Sequence, residues 1–328
     1  MTPSRHDHYP RADAARRRLS EAAAGLEARW QAEDRLPGGL LAAIEAQAAS
    51  PPDAAVAALL PWLAAAGLRE WGWLRARLDE ALALLAADSF ARPPLRPVGG
   101  GEGAGGLILV ERGAVRLSLQ YHPAGLAPAR AALFIPGRAA VRVLASGGAM
   151  LHRHHVAVGA DEEAGGFTAS SAAPCRSDPP RALVEGELLL LDTARQALTL
   201  SAARSDVLLL ELAVQPPSPL PVRSHDIATG RLLHVSASRR DSSFRQMALA
   251  LLGAMGRRDA APLFAAATEA EDFAARWSAM REFVALDPAA AHPHLAHMAA
   301  ADPHPEVRAA AAVTLALYAP KDAQPCPA

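Results

Sequence analysis

Apolar residues recur every three to four positions from Ala12 to about Asp88, at every second position from Leu107 to Val214, and at helical spacing again from about Asp241. A period near 3.6 marks an amphipathic helix, and a period of two marks a half-buried strand. The pattern therefore predicts an α+β chain. A helical N-terminal region (1–90) is followed by a Pro/Gly linker (91–106), a central antiparallel β-domain (107–236), C-terminal helical repeats (240–319) and a tail (320–328).

In the first region, one helix carries Arg16-Arg17-Arg18 and Trp30 and ends before Pro37-Gly38-Gly39; a second runs from Leu40 to Ala49. Ser50-Pro51-Pro52-Asp53 is a stop followed by a start, because proline suits a first helical turn. The third helix runs to about Ala66, with Pro61 as a kink point. The fourth spaces Trp71, Trp73, Leu74, Leu78, Leu82 and Leu85 by helical intervals. Tryptophans in such a stripe read as core or domain interface before they read as a ligand platform. The Gly99-Gly100-Gly101 run has no following Lys-Ser/Thr and opens no helix, so it is not a phosphate loop.

In the β-region, Leu107–Val110, a turn at Glu111-Arg112-Gly113 and the alternation Val115/Leu117/Leu119/Tyr121 form a hairpin signature. Strands at Ala131–Ile135, Ala140–Ala145, Ala149–Val158, Leu183–Asp192, Gln196–Ser201 and Val207–Val214 follow, and Val222–Val235 is one more hairpin turning at Thr229-Gly230. Short strands with Gly/Pro turns predict a sandwich or small barrel.

The C-terminal helices repeat. Arg245, Arg276 and Arg308 recur at near-constant spacing, each preceded by an aspartate (Asp241, Asp272, Asp302) and followed seven residues on by an apolar one (Leu252, Phe283, Leu315). Pro262 and Pro293 each precede a helix. With Asp302-Pro-His-Pro-Glu-Val307-Arg308, this pattern resembles HEAT-type helical repeats, whose helix pairs bury their apolar stripes by stacking on neighbours. The resemblance implies a surface for a protein partner on these repeats, or on the N-terminal helices, or a brace for the β-domain.

Composition narrows the function classes. Lys+Arg number 33 against Asp+Glu 34, a balance with no electrostatic footprint for nucleic acid. No apolar run is long enough for a membrane span, and the first residues lack the apolar core of a signal peptide. Two distant cysteines, Cys175 and Cys326, make no disulfide framework. A cytoplasmic location is the expectation.

The candidate chemistry lies at Met150-Leu151-His152-Arg153-His154-His155-Val156. Alternation places His152 and His154 on one face with Met150, taken as inward, and His155 on the other. This His-x-His strand, with Val184-Glu185-Gly186-Glu187 leading to Asp192 and Gln196, resembles the cupins. The resemblance implies a barrel with a ligand pocket (His152, His154, Gln196, Met150, Tyr121), and a divalent metal (Fe, Zn, Mn or Cu) held by His152 and His154 with Glu162 or His122 completing the set. Where a carboxylate is expected, after three or four intervening residues from His154, lie Val158 and Gly159; Ala197, with Gln196 beside it, stands where a further histidine is expected. The reading is thus a cupin-like small-ligand-binding or protein-interaction module without an intact metal site and with no cofactor. Two alternatives stay open: a metal-dependent oxygenase or isomerase using His152 and His154, and a structural subunit of a larger assembly. His225, His234, the His292/His294/His297 group, Ser170-Ser171, Ser242-Ser243 and Cys175 beside Arg176 read as structural or surface groups.

Overall fold

The structure, a computed structural model, describes residues 12–63, 72–99, 104–125, 127–238, 240–270 and 272–318. Trp71, Gly100-Gly101, Cys326 and both chain tails lie outside the described residues.

Four α-helices open the chain: α1 (Ala12–Asp34), α2 (Leu40–Glu45), α3 (Pro52–Leu59) and α4 (Gly72–Ala87). Proline sits in the first turn of α3, where a missing N–H costs nothing, and at Pro61 the chain tightens into a 3-10 turn at Leu60–Trp62. Trp73 packs edge-on against Trp62, with ring centroids 5.9 Å apart. Both tryptophans belong to a core and not to a binding platform.

Thirteen strands are described: β1 (Arg96–Gly99), β2 (Gly105–Arg112), β3 (Val115–His122), β4 (Ala131–Phe134), β5 (Arg138–Ala145), β6 (Met150–His155), β7 (Arg176–Ser177), β8 (Arg181–Ala182), β9 (Leu188–Asp192), β10 (Gln196–Ser201), β11 (Val207–Val214), β12 (Val222–Asp226) and β13 (Leu232–Ser236). Residues 96–99 are a strand where proline and glycine predict a linker. β1 is an edge strand, where a proline without an N–H is tolerated. The strands form a six-stranded sheet in the order β1-β2-β3-β11-β5-β9, a four-stranded sheet in which β6 pairs with β10, β7 and β8, and a three-stranded sheet in the order β13-β12-β4. The pairings are antiparallel.

Alternation gives the six-stranded sheet two apolar faces. On one, Val115, Leu117, Leu210, Leu212 and Val214 pack on Leu40, Ile44, Val56, Leu59 and Leu74 of the N-terminal helices. On the other, Val141, Val143, Leu189, Val207 and Leu209 meet Leu151 and Leu183, with Leu198 and Leu200 alongside. Two antiparallel sheets closing on one apolar interior make the sandwich that the short, evenly spaced strands predict. The hairpin β12–β13 turns at Gly230, whose φ is +72°. A Cβ there would lie 2.5 Å from the Cys175 carbonyl oxygen, so only glycine lets the turn approach that strand.

The C-terminal helices are α5 (Arg240–Ala254), α6 (Ala261–Ala267), α7 (Phe273–Leu286), α8 (Pro288–Ala301) and α9 (Pro305–Leu317). Phe264, Met280, Phe283, Leu295 and Val307 form their shared core. Pro262 lies in the first turn of α6, as the spacing predicts; Pro293 instead lies inside α8, which starts at Pro288. The repeated Asp and Arg positions do connected work. Asp272 caps α7 by accepting from the Ala275 N–H at 3.0 Å. Arg276 reaches forward to the next repeat's Asp302 through two hydrogen bonds of 2.9 and 2.8 Å, both groups buried.

The repeat block docks on the β-domain through the 159–173 loop. Phe167 of this loop is buried with Leu220 and Ala194. The buried His304 donates from Nε2 to the Phe167 carbonyl at 2.7 Å and stacks on Phe273, with centroids 3.9 Å apart. Glu306 accepts from the Ser170 N–H at 3.1 Å.

Candidate functional site

Register decides where the histidines point. His152 pairs with Thr199, His154 with Ala197, and Leu151 with Leu200. Leu151 belongs to the interior between the two large sheets. His152 and His154 therefore share the opposite face of β6, which carries Thr199, Ser201 and Ser177. His154 is buried, as the inward expectation has it, but its face meets the smaller core of Val156, Ala197 and Phe134 and not the interior between the two large sheets. The alternation holds, but both faces of this strand carry apolar residues, and Leu151 on the other face takes the interior.

On that face each imidazole is satisfied by hydroxyls. His152 Nε2 lies 2.7 Å from Ser201 Oγ. His154 is 1 % exposed and has both nitrogens engaged, Nδ1 with Ser177 Oγ and Nε2 with Thr199 Oγ1, each at 2.8 Å. Burial first, then the neighbouring His152 and His155, holds its pKa below the usual histidine value. A neutral ring has one N–H and one lone pair, so one hydroxyl accepts and the other donates. No lone pair is left for a metal. His155, on the other face, pairs with Asp178 at 2.8 Å.

The other predicted ligands lie elsewhere. Glu162 accepts from the Gly159 N–H in its own turn at 2.8 Å. His122 ends β3 in the six-stranded sheet. Among the described residues no group of three or more His, Cys, Asp or Glu side chains is placed to hold a metal ion. The set His152, His154, Glu162 and His122 is thus not assembled, and these residues do not fit the metal that the cupin resemblance implies. The predicted ligand pocket is dispersed as well. Gln196 pairs with His155 on the face opposite His154 and accepts from the Asp192 N–H. Met150 shares the His152 face. Tyr121 points to the side of β3 that carries Leu117 and Leu119, away from His122.

A different cluster occupies the interior side of the six-stranded sheet. Arg116, Ser118, Gln120 and His122 alternate onto one face of β3, opposite the face packed on the helices, and Glu211 of β11 pairs with Ser118. With Val98 and Gly106 they line a cavity of about 180 Å³. Glu211 Oε2 accepts from Gln120 Nε2 at 2.5 Å and from Ser118 Oγ at 3.5 Å. Burial raises the Glu211 pKa above the usual carboxylate value, against the opposing charge of Arg116 and the two hydrogen bonds. Burial also lowers the pKa of His122. Both groups are thereby biased toward their neutral forms. The Arg116 Nε is buried without a hydrogen-bond partner among the described residues. Sequence reading placed His122 but missed Arg116, Ser118, Gln120 and Glu211. The available signal was a run of polar residues on alternate positions, Arg116-x-Ser118-x-Gln120-x-His122, opposite the apolar positions that mark the hairpin.

Other isolated candidates prove structural. His225 is buried, with Nδ1 3.2 Å from the Gly230 carbonyl oxygen, and sits edge-on to Phe134. Cys175 is buried, and burial raises its thiol pKa. Arg223, buried between the rings of Phe134 and Phe167, is pushed down to about 10 by burial.

Comparison with known proteins adds the following. Residues 231–316 match the family model of HEAT repeats. No curated protein matches. Similar solved structures include an uncharacterised conserved protein with a double-stranded β-helix domain from Klebsiella pneumoniae (8% identity, 36% of this chain and 82% of that one, TM-score 0.24). A cupin superfamily protein from Desulfitobacterium hafniense matches at 10% identity over 36% of this chain and 82% of its own, TM-score 0.24. A cupin domain from Bordetella pertussis matches at 11% identity over 38% and 98%, TM-score 0.23. TM-scores this low carry no argument about fold or function. No helix among the described residues is long and apolar enough to cross a membrane. The chain is a mixed α+β protein in which an antiparallel β-domain is followed by helices that match HEAT repeats over residues 231–316.

Proposed function

We propose that this chain is a small-ligand-binding module whose ligand seat is the cavity around Glu211, with the helical repeats as its partner-facing arm. The observation that carries the reading is a buried polar cluster left incomplete. Arg116 Nε lacks an acceptor among the described residues, and Glu211 carries a raised pKa beside a space of about 180 Å³. Buried polar groups are normally paired, and exceptions point to a missing partner. The ligand that completes this set is small and polar. It offers an oxygen to Arg116 and a donor to Glu211, as a hydroxyl-bearing molecule does. The alternative, a metal-dependent oxygenase or isomerase built on His152 and His154, needs free imidazole nitrogens, and both nitrogens of His154 are engaged.

A thermal-shift screen of the full chain against a fixed panel of small polyols, monosaccharides and hydroxy acids tests the proposal. The expected result is a stabilising compound whose effect disappears in Val98→Trp, which fills the cavity. A stabilisation that persists in Val98→Trp, or a panel without a single stabilising compound, contradicts it.

A further inference from the structure

The second large cavity lies where the β-domain meets the repeats. It has a volume of about 350 Å³. One wall is His234, Val235 and Ser236 of β13. Consecutive strand residues point to opposite faces. Three in a row lining one groove is what a strand gives when it presents its backbone edge to it. β13 is the terminal strand of its sheet and, among the described residues, pairs with β12 alone, so its outer edge carries N–H and C=O groups without a described partner. Edge strands are usually blunted by lysine or proline. Leu232–Ser236 contains neither, and Leu233 is largely exposed.

The opposite wall is α7 and α9. Phe273, Trp277 and Arg281 follow one another at intervals of four on α7, giving an aromatic floor with a cation at its end. Arg281 is exposed and forms no ion pair with a described residue. Glu306 of α9, the acid lining the groove, is already engaged by the backbone N–H and hydroxyl of Ser170. Arg281 is thus a cation of the groove without a described ion partner, and the Glu306 carboxylate, held through one oxygen by Ser170, keeps its charge.

We infer that this groove takes up an extended peptide segment of a partner protein as an added strand on β13, with an apolar side chain on Trp277 and an acidic one at Arg281. Main-chain hydrogen bonds from an open edge give affinity in strand addition, and flanking pockets give specificity. A second copy of this chain fits less well. Pairing through its own β13 would carry its β12 into a space already bounded by α7 and α9. The inference rests on the partner-facing reading of the repeats.

The test selects peptides from a displayed library of random twelve-residue sequences on the purified full chain. One selected peptide is then synthesised with N-methyl groups on either its odd or its even residues. The backbone groups of alternate residues in a strand point to opposite edges. Strand addition therefore predicts that one methylation set abolishes binding and the other leaves it intact. Arg281→Glu is expected to weaken an acidic peptide by about fivefold or more, as loss and reversal of an exposed charge pair would. Replacing the peptide's acid by lysine should restore binding to that variant. Selected peptides that ignore both the methylation pattern and Arg281→Glu overturn the groove but leave the repeats as a partner surface. A library that yields no binder overturns both. A dimer that Arg281→Glu returns to monomer assigns the groove to a second copy and likewise overturns the inference.

Discussion

Glu211 and His154 show how polar side chains on interior strands can mean opposite things in two environments. Both are polar groups on strands and largely shielded from solvent, but His154 has a hydroxyl on each nitrogen, whereas the Glu211 cluster offers no acceptor to Arg116 Nε among the described residues. Their pH signatures differ in sign. The folded-state pKa of Glu211 is raised. Its contribution to stability is fully present below the unfolded carboxylate value and is lost as pH rises through the folded value. Glu211→Gln should therefore raise the melting temperature at pH 7–8 and leave it unchanged near pH 4 in a calorimetric pH series. The pKa of His154 is lowered. Its contribution is present above about pH 6.5, its unperturbed value, and is lost as pH falls through the folded value. His154→Ala should cost about 1–3 kcal/mol at neutral pH, because it strands the hydroxyls of Ser177 and Thr199. It should also flatten the loss of stability on acidification, both measured by urea unfolding. The His-x-His alternation was legible in the sequence. Its direction was not, because apolar residues on both faces of β6 left pattern alone unable to choose the interior.

The helical repeats were the most legible elements, since recurring residues of the last two units have mechanical tasks. Asp272 caps its helix, and Arg276 crosses to the aspartate of the next unit. Removing one partner of a buried ion pair leaves an uncompensated charge. Arg276→Ala should cost about 3–5 kcal/mol, while a double replacement by Arg276→Met and Asp302→Leu should cost clearly less. Denaturant unfolding of the two variants checks this; equal losses would make the pair an ordinary surface contact. β1 was the least legible element. Its Arg-Pro-Val-Gly sequence has the composition of a linker, and its strand form follows from pairing with β2, a non-local contact that local propensity does not carry.

At the scale of the whole molecule, the β-domain stands between two helical blocks, with N-terminal helices on one face of its large sheet and repeats latched to its 159–173 loop. His304 is the centre of that latch, bonded to Phe167 and stacked on Phe273. His304→Ala should uncouple the repeats, so that a single calorimetric transition separates into two while the β-domain transition keeps its position; an unchanged single transition would show that the latch is incidental. None of these inter-block contacts was readable from the sequence, because each joins residues far apart in the chain. The same holds for the cavity, whose residues come from β1, β2, β3 and β11. The central claim is that the interior cluster at Glu211, and not the His152–His154 strand, holds the ligand. Isothermal titration of the strongest stabilising compound into the parent chain, Glu211→Gln and His152→Ala tests it most directly. The account predicts binding at least tenfold weaker, roughly 1.4 kcal/mol, in Glu211→Gln and unchanged in His152→Ala; unchanged affinity in Glu211→Gln with loss in His152→Ala would contradict it.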